Sequence, residues 1–264
     1  MRELVLGGEG LIGTELVEQL RAKGHTVTSL DLRTGCDIRY VDITPFQECD
    51  RVWFLAWDVG GAKYIGATEY QHQLYKNNCE LTLRVLDSLS RTKRPFIFTS
   101  SQLAGQPTAY GSTKLVAERW AAELGGKVAR LWNTYGWETP DIRSHVITDM
   151  VLSGLRSGEV QCRTDGTERR RFVYKSDCVV SMLMLANSAL MYADTAGLEW
   201  VTLRTVAEEI ALQLQVGVRF GSERGSEWMV EPTKMVPGWS PEVPLGEGIT
   251  LVIADARNYL NGAP

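Results

Sequence analysis

Histidine is scarce, with only His25, His72 and His145, and these are scattered along the chain. A catalytic metal cluster would need more imidazoles, or carboxylates at ligand spacing, so no metal site is expected. The cysteines number five, an odd count, and none is spaced as C-x-x-C. This argues against a disulfide framework or zinc site and for a reducing, cytoplasmic setting. No apolar run approaches the roughly 18 residues of a membrane helix, so no membrane partner is expected. The opening Met1-Arg2-Glu3 leads straight into a strand and glycines, which is not a signal-peptide pattern. Positive charge is not in excess, since 28 Lys and Arg face 32 Asp and Glu for a net charge of −4. A nucleic-acid partner held by phosphate neutralisation is therefore not expected.

What the chain does have is an ordinary globular balance, 44% hydrophobic and 23% charged over 264 residues. A chain of this size can bury about 70–75% of its unfolded surface without staples. Through residue 135, short β-branched runs alternate with helical patterns. Strands are predicted at 4–7, 26–32, 38–43, 51–56, 95–100 and 128–131, and helices at 11–22, 70–90 and 110–124. This alternation predicts an α/β fold, a doubly wound parallel sheet of Rossmann-like type. Residues 1–135 form the expected dinucleotide-binding core. Residues 136–264 form a small C-terminal substrate-binding lobe, with some segments returning to the core and helices at 142–157, 177–192 and 203–215. The eight tryptophans, among them Trp53, Trp57, Trp120 and Trp132, are read as packing residues.

Gly7-Gly8-Glu9-Gly10-Leu11-Ile12-Gly13 follows the first strand and opens the first helix. Gly7 permits the tight turn, Gly10 lets a pyrophosphate approach the backbone, and Gly13 lets helix and strand pack closely. The free N–H groups of the helix start then face the phosphates. Asp31 closes the second strand, where a carboxylate accepts from a ribose 2′-OH and repels a 2′-phosphate. NAD is expected over NADP, although Arg33 stands two residues on.

Tyr110-Gly111-Ser112-Thr113-Lys114 places Tyr and Lys at i and i+4 on one helix face. A phenol of pKa about 10 is a poor base at neutral pH. A nearby ammonium and the positive helix end are expected to lower that value. Ser100 and Ser101 end the preceding strand, at the sheet edge where α/β folds bind ligands.

With these residues in view, the chain resembles the extended short-chain dehydrogenase/reductases of the nucleotide-sugar epimerase/dehydratase family. The resemblance runs through residues 7–13, Asp31, Asp42-Ile43, Phe54-Leu55-Ala56, Asn78, Ser100, Tyr110 and Lys114. It continues through residues 130–136, 166–172 and 237–241. It implies that Gly7, Gly10, Leu11, Ile12, Gly13, Asp31, Asp42, Ile43, Leu55, Ala56, Asn78, Tyr110 and Lys114 bind NAD. Tyr110, Lys114 and Ser100 become the catalytic set, with Ser101 a rival for the serine role. Ser101, Asn133 and Arg170 would meet a nucleotide-sugar substrate. Of the Arg169-Arg170-Arg171 run, Arg170 is kept and its neighbours are read as solvated.

The chain also departs from the family. Where dehydratases carry Asp and Glu and 3,5-epimerases a Cys, this sequence has Ser101 and Gln102. Neither takes a proton from carbon. The expected activity is NAD-dependent 4-epimerisation or oxidoreduction of one carbinol. The alternatives are a non-catalytic dinucleotide-sensing regulator and a nucleotide-sugar dehydratase, a lyase. Family dimers pair the helices matching 70–90 and 110–124, so a homodimer is expected, through faces containing Leu83, Leu86, Val116 and Trp120.

Overall fold

The computed structural model describes residues 1–262, so the last two residues of the expected lobe lie outside the described residues. The first half runs β1 Arg2–Leu6, α1 Leu11–Ala22, β2 Thr26–Leu30, α2 Thr44–Glu48, β3 Arg51–Phe54 and α3 Ala62–Ile65. It continues through α4 Gln71–Thr92, β4 Phe96–Ser101, α5 Ala109–Glu123 and β5 Lys127–Leu131. Next come β6 Thr134–Tyr135, α6 Val146–Ser157, β7 Glu159–Cys162, β8 Arg169–Arg170 and β9 Val173–Tyr174. The chain ends with α7 Lys175–Ala186, β10 Tyr192–Thr195, β11 Val201–Thr202, α8 Leu203–Leu214, β12 Gly217–Phe220 and α9 Leu245–Leu260.

Six strands form one sheet in the order β10-β5-β4-β3-β1-β2, and every pairing is parallel. Strand alternation sorts the core onto two faces. Leu4, Leu6, Val52, Phe54, Phe96, Phe98 and Val128 pack against Val85, Leu86 and Leu89 of α4 and Ala117 and Ala121 of α5. Val5, Trp53, Ile97, Ala129 and Ala193 pack on the other face against Leu16 and Leu20 of α1 and Cys178 and Met182 of α7. Both faces are covered, as the sequence alternation predicts. A third cluster joins α6, α8 and α9 through Met150, Val151, Val206, Ile210, Ile249, Val252 and Ile253. The order reverses between β1 and β3, which opens a crevice at their carboxyl ends.

Four expectations need correction. Residues 38–43 are not a strand. Asp37 accepts from the Arg39 backbone N–H at 3.1 Å and pairs with its guanidinium at 2.7 Å, closing a single 3₁₀ turn over Ile38–Tyr40. Val41 then gives its carbonyl to the Arg84 side chain instead of a ladder. Second, the helix expected to reach 192 stops at Ala186, and Tyr192–Thr195 forms the sixth strand, beside β5. Third, α9 has no counterpart in the predicted elements. Its Gly248 lies where a Cβ would come within 2.1 Å of Tyr135 Oη, so a glycine that reads as a breaker is a close-packing site. Fourth, Leu86 is fully buried and belongs to no outer face, whereas Leu83 and Val116 are each 60% exposed and Trp120 is 36% exposed.

Candidate functional site

The glycine loop joins β1 to α1. Gly7 has φ +89°, and a Cβ there would sit 2.6 Å from the Ala56 nitrogen. A Cβ on Gly13 would sit 2.0 Å from the Gly7 carbonyl oxygen. Both glycines are therefore required by packing and backbone geometry. Gly10 differs, because a Cβ there would meet only the Gly7 oxygen, at 3.5 Å. Packing does not require glycine at this position, but a phosphate approaching the backbone would. Gly10 is also the N-cap of α1, whose first turn carries no side-chain cap and no acid. Its N–H groups are left for an anion. Leu11 and Ile12 supply two of them.

Asp31 is buried at the end of β2. Its carboxylate accepts from the Glu9 N–H at 3.0 Å and the Arg33 N–H at 2.8 Å, which ties it to the glycine loop. The Arg33 guanidinium lies on the Glu9 carbonyl at 2.5 Å. Leu55 and Ala56 close the crevice from the β3 side, donating their N–H groups to the Leu6 carbonyl at 3.0 and 2.7 Å. Asp42 is exposed and caps Thr44 at 2.9 Å, with Ile43 beside it. Asn78 is fully buried and holds Asp58, accepting its N–H at 2.8 Å and donating to its carbonyl at 3.1 Å. Its amide is thus engaged by the loop after β3, and Asn78 positions that loop rather than presenting a free contact.

Tyr110, Lys114 and Glu118 lie along one face of α5, against β4. Lys114 is 3% exposed and donates to the Thr99 carbonyl at 2.6 Å. The two serines diverge because successive strand residues face opposite ways. Ser100 donates to Glu118 at 2.6 Å, and Glu118 pairs with Arg130 at 2.6 Å. Ser101 is the side chain that favours ionisation of the Tyr110 phenol, and it accepts from the Leu103 N–H at 3.1 Å. Of the two serines, the rival Ser101 is the one beside Tyr110, whereas Ser100 is engaged by Glu118. The expected lowering of the Tyr110 pKa is corrected. Burial pushes the phenol up to about 12, against a smaller downward pull from Ser101. Burial also drives Lys114 well below its ordinary value, while Glu118 pulls it up.

Three buried polar atoms without a partner line the carboxyl ends of three adjacent strands. They are Trp57 Nε1 after β3, Gln102 Oε1 after β4 and Asn133 Nδ2 after β5. Asn133 also has φ +28°. Buried polar groups are normally satisfied, so unpartnered atoms grouped in this way point to a ligand. Sequence reasoning had Asn133 but took Trp57 as packing. In the arginine run, Arg169 pairs with Glu227 at 2.9 Å and Arg171 with Glu231. Arg170 has no carboxylate partner among the described residues, and its guanidinium lies on the carbonyls of Arg169 and Ser226 at 2.8 and 2.7 Å. It is the member of the run without an acidic partner among the described residues.

Among the described residues, no group of three or more His, Cys, Asp or Glu is arranged to hold a metal. No described helix is long and apolar enough to cross a membrane.

A doubly wound sheet, a glycine cradle at its switch point and a Tyr–Lys helix define the extended short-chain dehydrogenase/reductase class. Within it, the chain belongs to the NAD dependent epimerase/dehydratase family, whose model matches residues 3–192. UDP-glucuronic acid decarboxylase 2 of Arabidopsis thaliana is 25% identical over 99% of this chain and 69% of its own length. That alignment spans 312 positions, so the relative carries several tens of residues with no counterpart here. UDP-glucuronic acid decarboxylase 1 of Danio rerio is 25% identical over 96% of this chain and 72% of its own. The fold is shared with UDP-glucose 4-epimerase of Thermotoga maritima, with TM-score 0.84, 21% identity, and 98% and 100% of the two chains covered. It is shared too with UDP-glucuronic acid 4-epimerase of Bacillus cereus, solved with UDP-glucuronic acid and NAD, with TM-score 0.83, 19% identity and the same coverage.

Proposed function

We propose that the chain oxidises or reduces one carbinol carbon of a nucleotide sugar, as a 4-epimerase or a carbinol oxidoreductase. One observation carries this reading. Tyr110 and Lys114 lie together at the carboxyl edge of β4, with Lys114 Nζ 5.9 Å from the Tyr110 ring, Ser101 favours ionisation of the phenol, and positions 101 and 102 hold a hydroxyl and an amide. Tyr110 moves a proton to and from the sugar oxygen. Ser101 orients that hydroxyl, and Lys114 supports the phenolate and the nicotinamide ribose. Arg170 and Asn133 grip the diphosphate end. The glycine cradle, the uncapped start of α1 and Asp31 fit NAD. When bound, NAD accepts and returns the hydride. Neither Ser101 nor Gln102 can draw a proton from carbon, so dehydration and 3,5-epimerisation are disfavoured.

A second reading rests on the curated relatives, which are named as UDP-glucuronic acid decarboxylases. Oxidising a carbinol two carbons from a carboxylate gives a β-keto acid, which loses CO₂ without a carbon base. The enolate left behind takes its proton at carbon 5 from solvent water, so no further side-chain base is needed.

The test is incubation with NAD and a panel of UDP-, GDP- and CDP-sugars in D₂O, with the products read by NMR. The first reading expects inversion or a ketone at one carbon, with no deuterium at carbon 3 or 5. Decarboxylation would show loss of carbon 6 with deuterium at carbon 5. Deuterium at carbon 3, or at carbon 5 with carbon 6 retained, would overturn both. The exposed Leu83, Val116 and Trp120 on α4 and α5 support pairing with a second copy, and light scattering at the monomer mass would remove that proposal.

A further inference from the structure

Lys114 is buried and its ammonium has no carboxylate within ion-pair distance, as no salt bridge of the described residues includes it. Its one hydrogen bond goes to a neutral carbonyl, that of Thr99. An ammonium so placed is driven toward the neutral amine by desolvation. Aromatic rings supply the missing counter-interaction. The Trp57 ring centroid lies 3.9 Å from Lys114 Nζ, Phe98 at 4.9 Å and Tyr110 at 5.9 Å. An indole face is the strongest such partner, and the interaction grows when water is excluded. Trp57 is not tethered by a hydrogen bond, since its buried Nε1 has none. It is held by packing on Phe54 at 6.0 Å and Phe98 at 5.6 Å.

We infer that Trp57 is a positioning residue for the Tyr110–Lys114 pair, its indole face keeping the buried Lys114 ammonium charged. The inference rests on the proposed role of Lys114. The titratable and charged groups around the ammonium are few. Tyr110 and Glu118 share its helix. Arg130 approaches from β5 but is tied to Glu118. β4 contributes the Phe98 ring and the Thr99 carbonyl, and the segment after β3 contributes Trp57. Glu118 is the charge that supports Lys114 from one turn away, with its carboxylate shared between Ser100 and Arg130. Trp57 is the group in contact.

The experiment follows the ¹³Cε resonance of Lys114 against pH in the NAD-free protein, assigned by its loss in Lys114→Met. Wild type is compared with Trp57→Leu, which keeps an apolar side chain but removes the ring. Trp57→Phe keeps a ring and removes the N–H. The Leu variant is expected to titrate lower by about one pH unit, a tenfold weaker hold on the proton, and the Phe variant to fall between. A midpoint shared by all three proteins, or a Lys114 signal that moves with pH in none of them, overturns the inference. No sugar nucleotide enters the measurement. Failure to find a turned-over substrate would therefore strike the proposed reaction and leave this result standing.

Discussion

Ser100 and Ser101 are neighbours in β4 that serve different partners: Ser100 donates to Glu118 at 2.6 Å, while Ser101 accepts from the Leu103 N–H at 3.1 Å and favours ionisation of the Tyr110 phenol. Ser101→Ala is expected to lower kcat about 10²-fold or more on whichever sugar nucleotide the enzyme accepts, within the range for positioned acid–base groups. Ser100→Ala removes a part-buried contact to Glu118 and should cost activity far less. Steady-state kinetics on the two variants decides between them. Equal losses would restore Ser100 to the catalytic set.

Tyr110→Phe deletes the phenolic oxygen and little else. Turnover should fall about 10²–10⁴-fold with NAD affinity kept, as read by calorimetry. A variant that turns over like wild type would remove Tyr110 as the acid–base group.

Gly10 and Gly13 are expected to fail in different ways. Gly13→Ala forces a Cβ to within 2.0 Å of the Gly7 oxygen and should lower thermal stability. Gly10→Ala meets nothing nearer than 3.5 Å and should melt like wild type while binding NAD at least tenfold more weakly. Melting curves with and without NAD separate the two. A Gly10→Ala protein that keeps its NAD affinity would count against phosphate contact at that position.

The chain should lose stability in alkali. Burial raises the Cys178 thiol from 9.0 to about 12 and Tyr110 from 10.0 to about 12. In both cases the folded value exceeds the unfolded one. Their contributions are therefore fully present below pH 9 and pH 10 respectively, and are lost as pH rises towards 12. Urea midpoints from pH 8 to pH 11 should fall, and fall less in Cys178→Ala relative to that variant's own pH 8 value. A Cys178→Ala profile as steep as that of wild type would show that the thiol is not protonated preferentially in the fold.

The parts of the site that were legible in advance rest on fixed local geometry. A strand–glycine–helix spacing and an i, i+4 pair each have one backbone solution, so Gly7, Gly13, Asp31, Tyr110 and Lys114 could be placed from sequence. The resemblance selected Ser100, with Ser101 its rival, but a resemblance in sequence does not say which face of the sheet a strand residue takes. Residues 38–43 carry strand-forming side chains, yet the Asp37–Arg39 interaction bends them into a turn. Trp57 read as packing because only the fold brings it over Lys114. α9 was hidden by Gly246 and Gly248 in its first turn, and the purpose of Gly248 is visible only once Tyr135 lies against the helix.

The sixth strand ties the folding of the two halves together. β10 hydrogen-bonds β5 from Val128 to Leu131, and the core around α1 and α7 combines Val5, Leu16 and Trp53 with Met182, Val236 and Trp239. Cut after residue 135, the chain would leave β5 as an open edge and α1 without its partner helix. Such an edge invites pairing between molecules. The first half alone is therefore expected to aggregate, and the intact chain to unfold in one calorimetric transition, with the NAD crevice and the lobe above it melting together.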